Sequence, residues 1–212
     1  MGEIVLDALK ETLIMVFTST IFAVILGFIP AILLTVTAND GLKPNKIIYN
    51  ILDFIVNTLR SFPFVILMVI IVPLTRLIVG KSIGTTAAIV PLTIAAAPFV
   101  ARVIESSLRE VDKGVIEAAK AFGASNFQII FKVMLKEAVP SIMSGITLTI
   151  ISIVGYSAMA GAIGGGGLGD VAIRYGYQRF QTDVMVVTCI ILIIVVQLLQ
   201  FLGNYFYNKL SK

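Results

Sequence analysis

Uncharged stretches of membrane-spanning length dominate the chain. Runs without Asp, Glu, Lys or Arg occupy residues 12–39, 61–75, 82–101, 138–169 and 184–208. A helix needs about 20 apolar residues to cross a hydrocarbon core roughly 30 Å thick, and four of the five runs reach that length unaided. The second run is interrupted by Arg76, but the apolar pattern resumes after it, and an arginine near a helix end can place its head at the interface. The pattern predicts five spans, at about residues 12–38, 61–79, 82–104, 138–160 and 183–207.

The predicted fold class is all-α, a polytopic membrane protein with one transmembrane domain over residues 1–212. The loop between the third and fourth spans, residues 105–137, is too long for a turn and has helical patterning of its own. Its first helix is predicted from apolar residues that recur every three or four positions, namely Leu108, Val111, Val115, Ala118 and Phe122. Gly123 is placed to end that helix, because glycine readily adopts the left-handed conformation of a C-terminal cap.

A second helix is predicted directly after Gly123, because Ser125 and Gln128 have the spacing of a capping box. Its apolar stripe comprises Phe127, Ile130, Phe131, Met134 and Leu135, opposite a polar stripe of Gln128, Lys132 and Lys136. Periodicity leaves two uses open for this helix–glycine–helix elbow. It is either a pair of interfacial helices against lipid headgroups or a docking element for a soluble protein. The small residues Ala118, Ala119 and Gly123 favour docking, because they let another backbone come close.

The composition removes several kinds of chemistry. The chain has no histidine and one cysteine. It therefore lacks the residues needed for histidine acid–base catalysis, for His/Cys metal sites and for an internal disulfide. The twelve Asp and Glu residues all lie outside the uncharged runs, which argues against an intramembrane proton relay. We therefore expect no catalytic residue, no metal site and no cofactor on this chain.

The sixteen Lys and Arg residues predict the orientation of the bundle. With the N-terminus outside, eleven of them fall in inside segments and five in outside segments. Positively charged flanking segments stay in the cytoplasm, so this division predicts an outside N-terminus and an inside C-terminus. The loop 105–137 is then cytoplasmic. A basic face that only binds anionic lipid would contribute to the same asymmetry.

Two glycine patterns resemble nucleotide-binding motifs without their context. Residues 80–82 match the end of a P-loop, but Thr75 stands where the motif requires glycine. The G-x-G-x-x-G spacing within residues 164–169 follows a predicted span, whereas the dinucleotide fingerprint follows a β-strand. The chain itself is therefore not expected to hydrolyse ATP.

The elbow resembles a known family signature. Glu117-Ala118-Ala119, with Gly123 after three more residues, is similar to the EAA signature of the membrane permeases of ABC importers. In that family the first helix of the loop couples to a cytoplasmic ATPase subunit. The resemblance thus implies an ATPase-coupling set of Val115, Glu117, Ala118, Ala119, Lys120, Phe122, Gly123 and Ala124.

One position departs from the family pattern. Val133 and Leu135 match the end of the signature, but Lys136 stands where proline is usual. This leaves the bend after the second helix open, with Pro140 placed to supply it. The resemblance covers nearly the whole chain and narrows to the methionine importer permeases through segments that include residues 60–64, 73–76, 88–93, 155–159, 164–170 and 174–177.

The resemblance also implies partners that composition does not show. They are a second copy that completes a homodimeric pore, two copies of a cytoplasmic subunit that binds ATP and Mg²⁺, and a lipid-anchored methionine-binding protein outside. Membrane lipid is a further expected partner, and nucleic acid is not. The implied function is ATP-driven import of D- or L-methionine, or both, across a bacterial cytoplasmic membrane. Open alternatives are a permease for another small amino acid and a stand-alone channel or secondary transporter, which the odd span count opposes.

Candidate pore and outer-face residues follow from the needs of such a substrate. A zwitterion with an apolar thioether should cross an apolar wall that carries a few hydrogen-bonding groups. The fourth span combines small and hydroxyl residues, and Tyr156, Ser157 and Met159 lie near its outer end, with Met159 as candidate gate or ordinary packing residue. The loop beyond it either meets the binding protein or only joins two spans; its candidates are Gly166, Gly167, Asp170, Arg174, Tyr175 and Tyr177.

Overall fold

The computed structural model describes residues 2–211, and in that range the regular structure is entirely helical. The helices are α1 (Gly2–Thr37), α2 (Lys46–Arg60), α3 (Phe64–Ile70), α4 (Val72–Val79), α5 (Thr85–Arg109), α6 (Lys113–Ala121), α7 (Asn126–Gln128), α8 (Leu135–Ala162), α9 (Gly167–Val171) and α10 (Thr182–Leu210). There are also two π-helical segments. Ile129–Met134 connects α7 to α8, and Ala172–Tyr177 directly follows α9. The predicted all-α class is confirmed.

Four helical segments in the described range are long and apolar enough to cross a membrane, namely α1, α5, α10 and the continuous helix Asn126–Ala162. Helices α2 and α3 form a further apolar pair that is bent by 99°, which makes five candidate spans if the pair counts as one. Residues 61–79, predicted as one span, instead form α3 and α4 with a break at Ile71. Pro63 and Pro73 stand at the starts of these helices, where a missing N–H removes no helical hydrogen bond.

Helices α1 and α5 form the centre of the bundle and run in the same direction. Ser19 Oγ donates to the carbonyl of Ile89 at 3.4 Å, and Gly27 lies against the backbone of α5 further along both helices. A Cβ at Gly27 would lie 2.6 Å from the carbonyl oxygen of Ala97 and 2.9 Å from the nitrogen of Ala101. Only glycine allows this approach without displacing backbone.

The two ends of the bundle hold different groups of segments. At one end the segment after α1 meets the end of α5 through an ion pair between Asp40 and Arg109. At the other end the N–H of Gly84 donates to the carbonyl of Gly164 at 2.9 Å, and the side chains of Glu11 and Thr12 reach α9. The elbow is thus at the Asp40 end, and the glycine-rich loop is at the opposite end.

The elbow differs from its prediction in two respects. Leu108 belongs to α5, and the first elbow helix begins only at Lys113, after a break at residues 110–112. The second elbow helix is not separate, because α7, the π-helical segment and α8 form one continuous helix through Lys136 and Pro140. Pro140, the candidate for the bend after the second elbow helix, therefore does not end that helix. Pro140 lies inside α8, where it leaves the carbonyl of the exposed residue Lys136 without a helical N–H partner.

We predict that Gly27→Val destabilises the bundle by about 1–3 kcal/mol, because the new side chain must push α5 away. Its apparent melting temperature in detergent, followed by far-UV circular dichroism, should fall by roughly 5 °C. Gly155→Val is the matched control, since a Cβ at Gly155 meets nothing within 4 Å. Equal melting temperatures for the two variants would contradict the close contact.

Candidate functional site

Helix α6 is fixed at both ends by local hydrogen bonds. At its start, the Asp112 carboxylate accepts from the N–H of Gly114 at 2.6 Å and of Val115 at 3.3 Å. At its end, Gly123 has φ +78°, and its N–H donates to the carbonyl of Lys120 at 2.9 Å. The N–H of Ala124 donates to the carbonyl of Ala119 at 3.0 Å, which completes a Schellman motif. The predicted glycine cap is confirmed.

The next helix begins with the predicted capping box. Gln128 N–H donates to Ser125 Oγ at 3.3 Å, and Ser125 N–H donates to Gln128 Oε1 at 2.9 Å. Directly after it, Ile129 is fully buried, while Phe127 and Phe131 are exposed. The predicted apolar stripe is therefore only partly buried: Ile130 and Met134 are buried, whereas Phe127 and Phe131 are exposed.

The coupling candidates occupy two faces of α6. Ala119 and Ala124 pack inward with Ile116 against the core. The other candidates are exposed: Val115, Glu117, Ala118, Lys120, Phe122 and Gly123. Phe122 is 92% exposed, so the predicted stripe of Val115, Ala118 and Phe122 faces away from this chain. The elbow therefore presents a small apolar surface, bordered by Glu117 and Lys120, at one end of the molecule.

A partly buried ionic cluster, centred on Glu105, lies beside the elbow, and sequence reasoning did not find it. Glu105 is 2% exposed; its carboxylate accepts from Arg102 at 2.6 Å and from the Tyr49 hydroxyl at 3.4 Å. Arg102 also donates to Asp53 at 2.6 Å and to Asn57 at 3.0 Å, which joins α5 to α2. The available signal was an Arg and a Glu three residues apart at the inner end of a predicted span. Within residues 2–211, no three His, Cys, Asp or Glu side chains are grouped to hold a metal ion.

A second polar connection joins α5 to α8 at the same end. Ser107 Oγ donates to Ser141 Oγ at 2.9 Å, and Ser141 Oγ donates to Glu110 Oε2 at 3.1 Å. Because Glu110 directly follows α5, this link fixes the start of the α5–α6 junction against α8.

The three pore candidates on α8 point in different directions. Ser157 is buried inside the chain and donates to the carbonyl of Val154 at 2.8 Å. Tyr156 is partly buried and stacks on Phe64, with ring centroids 4.8 Å apart. Met159 is 48% exposed on the face of α8 that carries the exposed residues Leu148 and Gly155. Met159 therefore lies on the open face of α8, whereas Ser157 lies on its buried side.

The loop between α8 and α10, which the sequence predicts to face outside, is named the outer loop, and its glycines are held against the start of α1. Gly167 N–H donates to Glu11 Oε2 at 2.7 Å, and Leu168 N–H donates to Thr12 Oγ1 at 2.9 Å. Gly166 and Gly167 both have φ +79°. Gly167 is buried, and a Cβ there would lie 2.7 Å from Thr12 Oγ1. These glycines serve the packing of the loop, and two side chains of α1 cap the first turn of α9.

The remaining outer-loop candidates form a cationic and aromatic group. Asp170 and Arg174 form an ion pair. The guanidinium groups of Arg174 and Arg179 lie 5.5 Å and 4.6 Å from the ring centroid of Tyr175. Arg174 and Tyr177 are exposed, whereas Asp170 and Tyr175 are partly buried. Among these candidates Arg174 and Tyr177 are thus the accessible ones, and the exposed surface continues through residues 178–183.

We predict that Thr12→Ala loosens the outer loop, because Leu168 N–H loses its partner at a buried position. The cost is about 1–3 kcal/mol of local stability. Hydrogen–deuterium exchange of residues 167–177 should become faster by about tenfold. Thr58→Ala, at an exposed threonine of α2, is the control and should leave that exchange unchanged.

Long apolar helices around a central pair, with a capped and exposed elbow at one end, define a multi-span membrane protein. The family described as the binding-protein-dependent transport system inner membrane component matches residues 23–212. The chain therefore belongs to this family of membrane transport components.

Curated relatives narrow the similarity further. The chain is 50% identical over 210 residues, 99% of this chain and 93% of the relative, to the probable D-methionine transport system permease protein MetI of Vibrio cholerae. It is 44% identical over 180 residues, 85% of this chain and 81% of the relative, to the methionine import system permease protein MetP of Bacillus subtilis. A chain from inward-facing crystal structures of the MetNI methionine ABC transporter matches with a TM-score of 0.98 and 44% identity, over 100% of this chain and 98% of that one.

Proposed function

We propose that this chain is the membrane permease of an ATP-driven importer that translocates methionine, as the D-form, the L-form or both. The observation that carries this proposal is the exposed apolar face of α6, held rigid by caps at both ends, in a chain of the transport-component family. The substrate class follows from the relatives. They are similar to this chain over most of its length, and their names describe methionine transport. The chain supplies the pathway, and ATP hydrolysis belongs to a separate subunit.

Docking of that ATPase at α6 is supported by the size and chemistry of its outward face. An interfacial helix needs a broad apolar face. The outward face of α6 instead has three apolar residues, Val115, Ala118 and Phe122, interspersed with exposed Glu117 and Lys120. A narrow apolar patch with charged borders suits a protein groove, where an aromatic anchor contributes most of the affinity. Two copies of the chain would then dock two copies of the ATP-binding subunit.

The proposed orientation places the elbow inside and the N-terminus outside. The elbow end carries Arg102, Arg109 and Lys113 around the ionic cluster, in agreement with retention of basic segments in the cytoplasm. The opposite end then faces the exterior, and Arg174 and Tyr177 are the accessible contacts for a substrate-binding protein. The location is the cytoplasmic membrane of a bacterium.

The substrate pathway is proposed to run along the open face of α8 between two copies of the chain. Met159 lies on that face and is suited to contact a thioether, because methionine side chains are soft and adaptable. Tyr156 supports the face through its stack on Phe64. Movement of the docked elbow would be carried directly into this face, because α7 and α8 are one helix. Closure of the ATPase pair would thereby favour one of two pore conformations.

The test is coexpression of the chain with its cognate candidate ATPase subunit, followed by copurification and uptake in proteoliposomes. A permease should retain the ATPase at near-equal stoichiometry and take up labelled methionine only with ATP and the binding protein. Competition with unlabelled amino acids identifies the substrate. Uptake that needs no ATPase would overturn the proposal in favour of a channel or secondary transporter.

We predict that Phe122→Ser weakens binding of the ATPase subunit by about 2 kcal/mol, or roughly thirtyfold in affinity, because an exposed aromatic anchor is lost. Copurification at a fixed salt concentration measures the change. Phe180→Ser is the control, since Phe180 is also highly exposed and lies beyond Arg179 at the opposite end. Equal retention of the ATPase by both variants would exclude Phe122 as an anchor.

We predict that Gly123→Val lowers both uptake and transport-coupled ATP hydrolysis. The residue has φ +78°, and a Cβ there meets nothing within 4 Å, so the cost is backbone strain of about 1–2 kcal/mol. That strain opens the Schellman cap and lets α6 tilt relative to α7. Gly80→Val is a matched control, because Gly80 has the same φ and equally open surroundings but caps α4. The idea fails if the two variants transport equally well.

A further inference from the structure

Six side chains of alternating charge run from α6 into the bundle. Beyond the ionic cluster, Arg109 Nη1 lies 3.6 Å from Glu105 Oε1, and Arg109 Nη2 lies 3.2 Å from Asp40 Oδ1. The second oxygen of Asp40 lies 3.8 Å from Nζ of Lys113, the first residue of α6. We name this arrangement the ion chain; in spatial order it consists of Lys113, Asp40, Arg109, Glu105, Arg102 and Asp53.

The ion chain bridges the junction between α5 and α6. Helix α5 ends at Arg109 and α6 begins at Lys113, so residues 110–112 are the only direct connection between them. Asp40 comes from the segment after α1 and contacts the residues on both sides of that junction. The inward packing of Ile116 and Ala119 holds α6 on the bundle, but three non-helical residues by themselves would let its angle to α5 change. A shared carboxylate between the two helix ends restrains that angle.

The outer half of the ion chain contributes little to stability. The side chains of Arg109, Asp40 and Lys113 are 40%, 45% and 75% exposed, and exposed ion pairs are weakened by solvent and salt. Glu105, in contrast, is buried and holds both arginines of α5. A link with a buried anchor at one end and an exposed contact with α6 at the other is suited to positioning the helix.

We propose that the ion chain transmits displacement of α6 to α5 and α2, with Asp40 and Arg109 as its positioning residues. This inference rests on the proposed function, because it assigns the mechanical path used by a docked ATPase. The covalent path through Gly123 moves α8, and the ion chain moves the other side of the bundle with it. Concerted movement of both sides would let closure of the ATPase pair favour one of two pore conformations.

The test compares uptake per ATP hydrolysed in proteoliposomes that contain the complete transporter. Asp40→Asn and Arg109→Gln remove one charge each, and Asp40→Glu keeps the charge. Asp7→Asn is the control, because it breaks the exposed pair with Lys10 near the start of α1. Membrane insertion and ATPase retention are measured for every variant.

We expect Asp40→Asn and Arg109→Gln to lower uptake per ATP at least threefold while the ATPase rate stays within twofold. The double variant should lose no more than either single variant, because both remove the same link. Asp40→Glu should stay within twofold of the unsubstituted chain, which a purely structural role for the position would not require. Unchanged uptake per ATP in both single variants would overturn the proposed role of the ion chain. A loss in Asp40→Glu as large as that in Asp40→Asn would do the same.

The two proposals fail in different ways. If the unsubstituted transporter shows no ATP-dependent uptake, the proposed function fails and the ion chain loses its role with it. If the unsubstituted transporter is coupled and the variants are equally coupled, only the ion chain fails. Should Asp40→Asn not reach the membrane, Lys113→Gln tests the same link from α6, and unchanged coupling there would likewise contradict the proposal.

Discussion

The direct contact of α1 with the backbone of α5 at Gly27 is the constraint on which both ends of the molecule depend. Because Gly27 lies directly against the backbone of α5, and Ser19 bonds to α5 nearer the start of α1, the position of α1 along α5 is fixed. Its start supplies Glu11 and Thr12 to the first turn of α9, and the segment after it supplies Asp40 to the α5–α6 junction. A shift of α1 along α5 would disturb the outer loop and the elbow together.

Most of the exposed apolar surface of this chain is consistent with contact with lipid. The exposed side chains of α1 include Phe17, Ile21 and Ile25, which lie within its uncharged length. The outward face of α6 is different, since charged residues separate its apolar ones and its ends are capped without help from other helices. Caps confine the helix to nine residues and hold it in one conformation, so a partner that docks there meets a preorganised surface.

Polar contacts around the buried residues Glu105 and Ser107 join the elbow end of α5 to the helices on both sides. The serine pair and Glu110 connect α5 to α8, and the ionic cluster around Glu105 connects α5 to α2. Breaking a buried charge from its partner is costly, so the cluster holds these helices in a defined relation. These polar contacts lie at the elbow end of the bundle, next to the surface at which we propose that the ATPase subunit docks.

The sequence by itself determined the features that depend on short-range rules. Uncharged length identified four of the candidate spans, and the Gly123 cap and the Ser125 capping box followed from hydrogen bonds between residues close in the chain. Only the tertiary structure decided that Ile116 and Ala119 face inward, that α7 continues into α8, and that Asp40 reaches Arg109. The tertiary structure also decided that Ser157 is buried inside the chain and that Gly167 donates a hydrogen bond to Glu11 of α1. Periodicity shows that a helix has two faces, but the side chains of distant segments decide which face is buried, and those contacts exist only once the helices have packed.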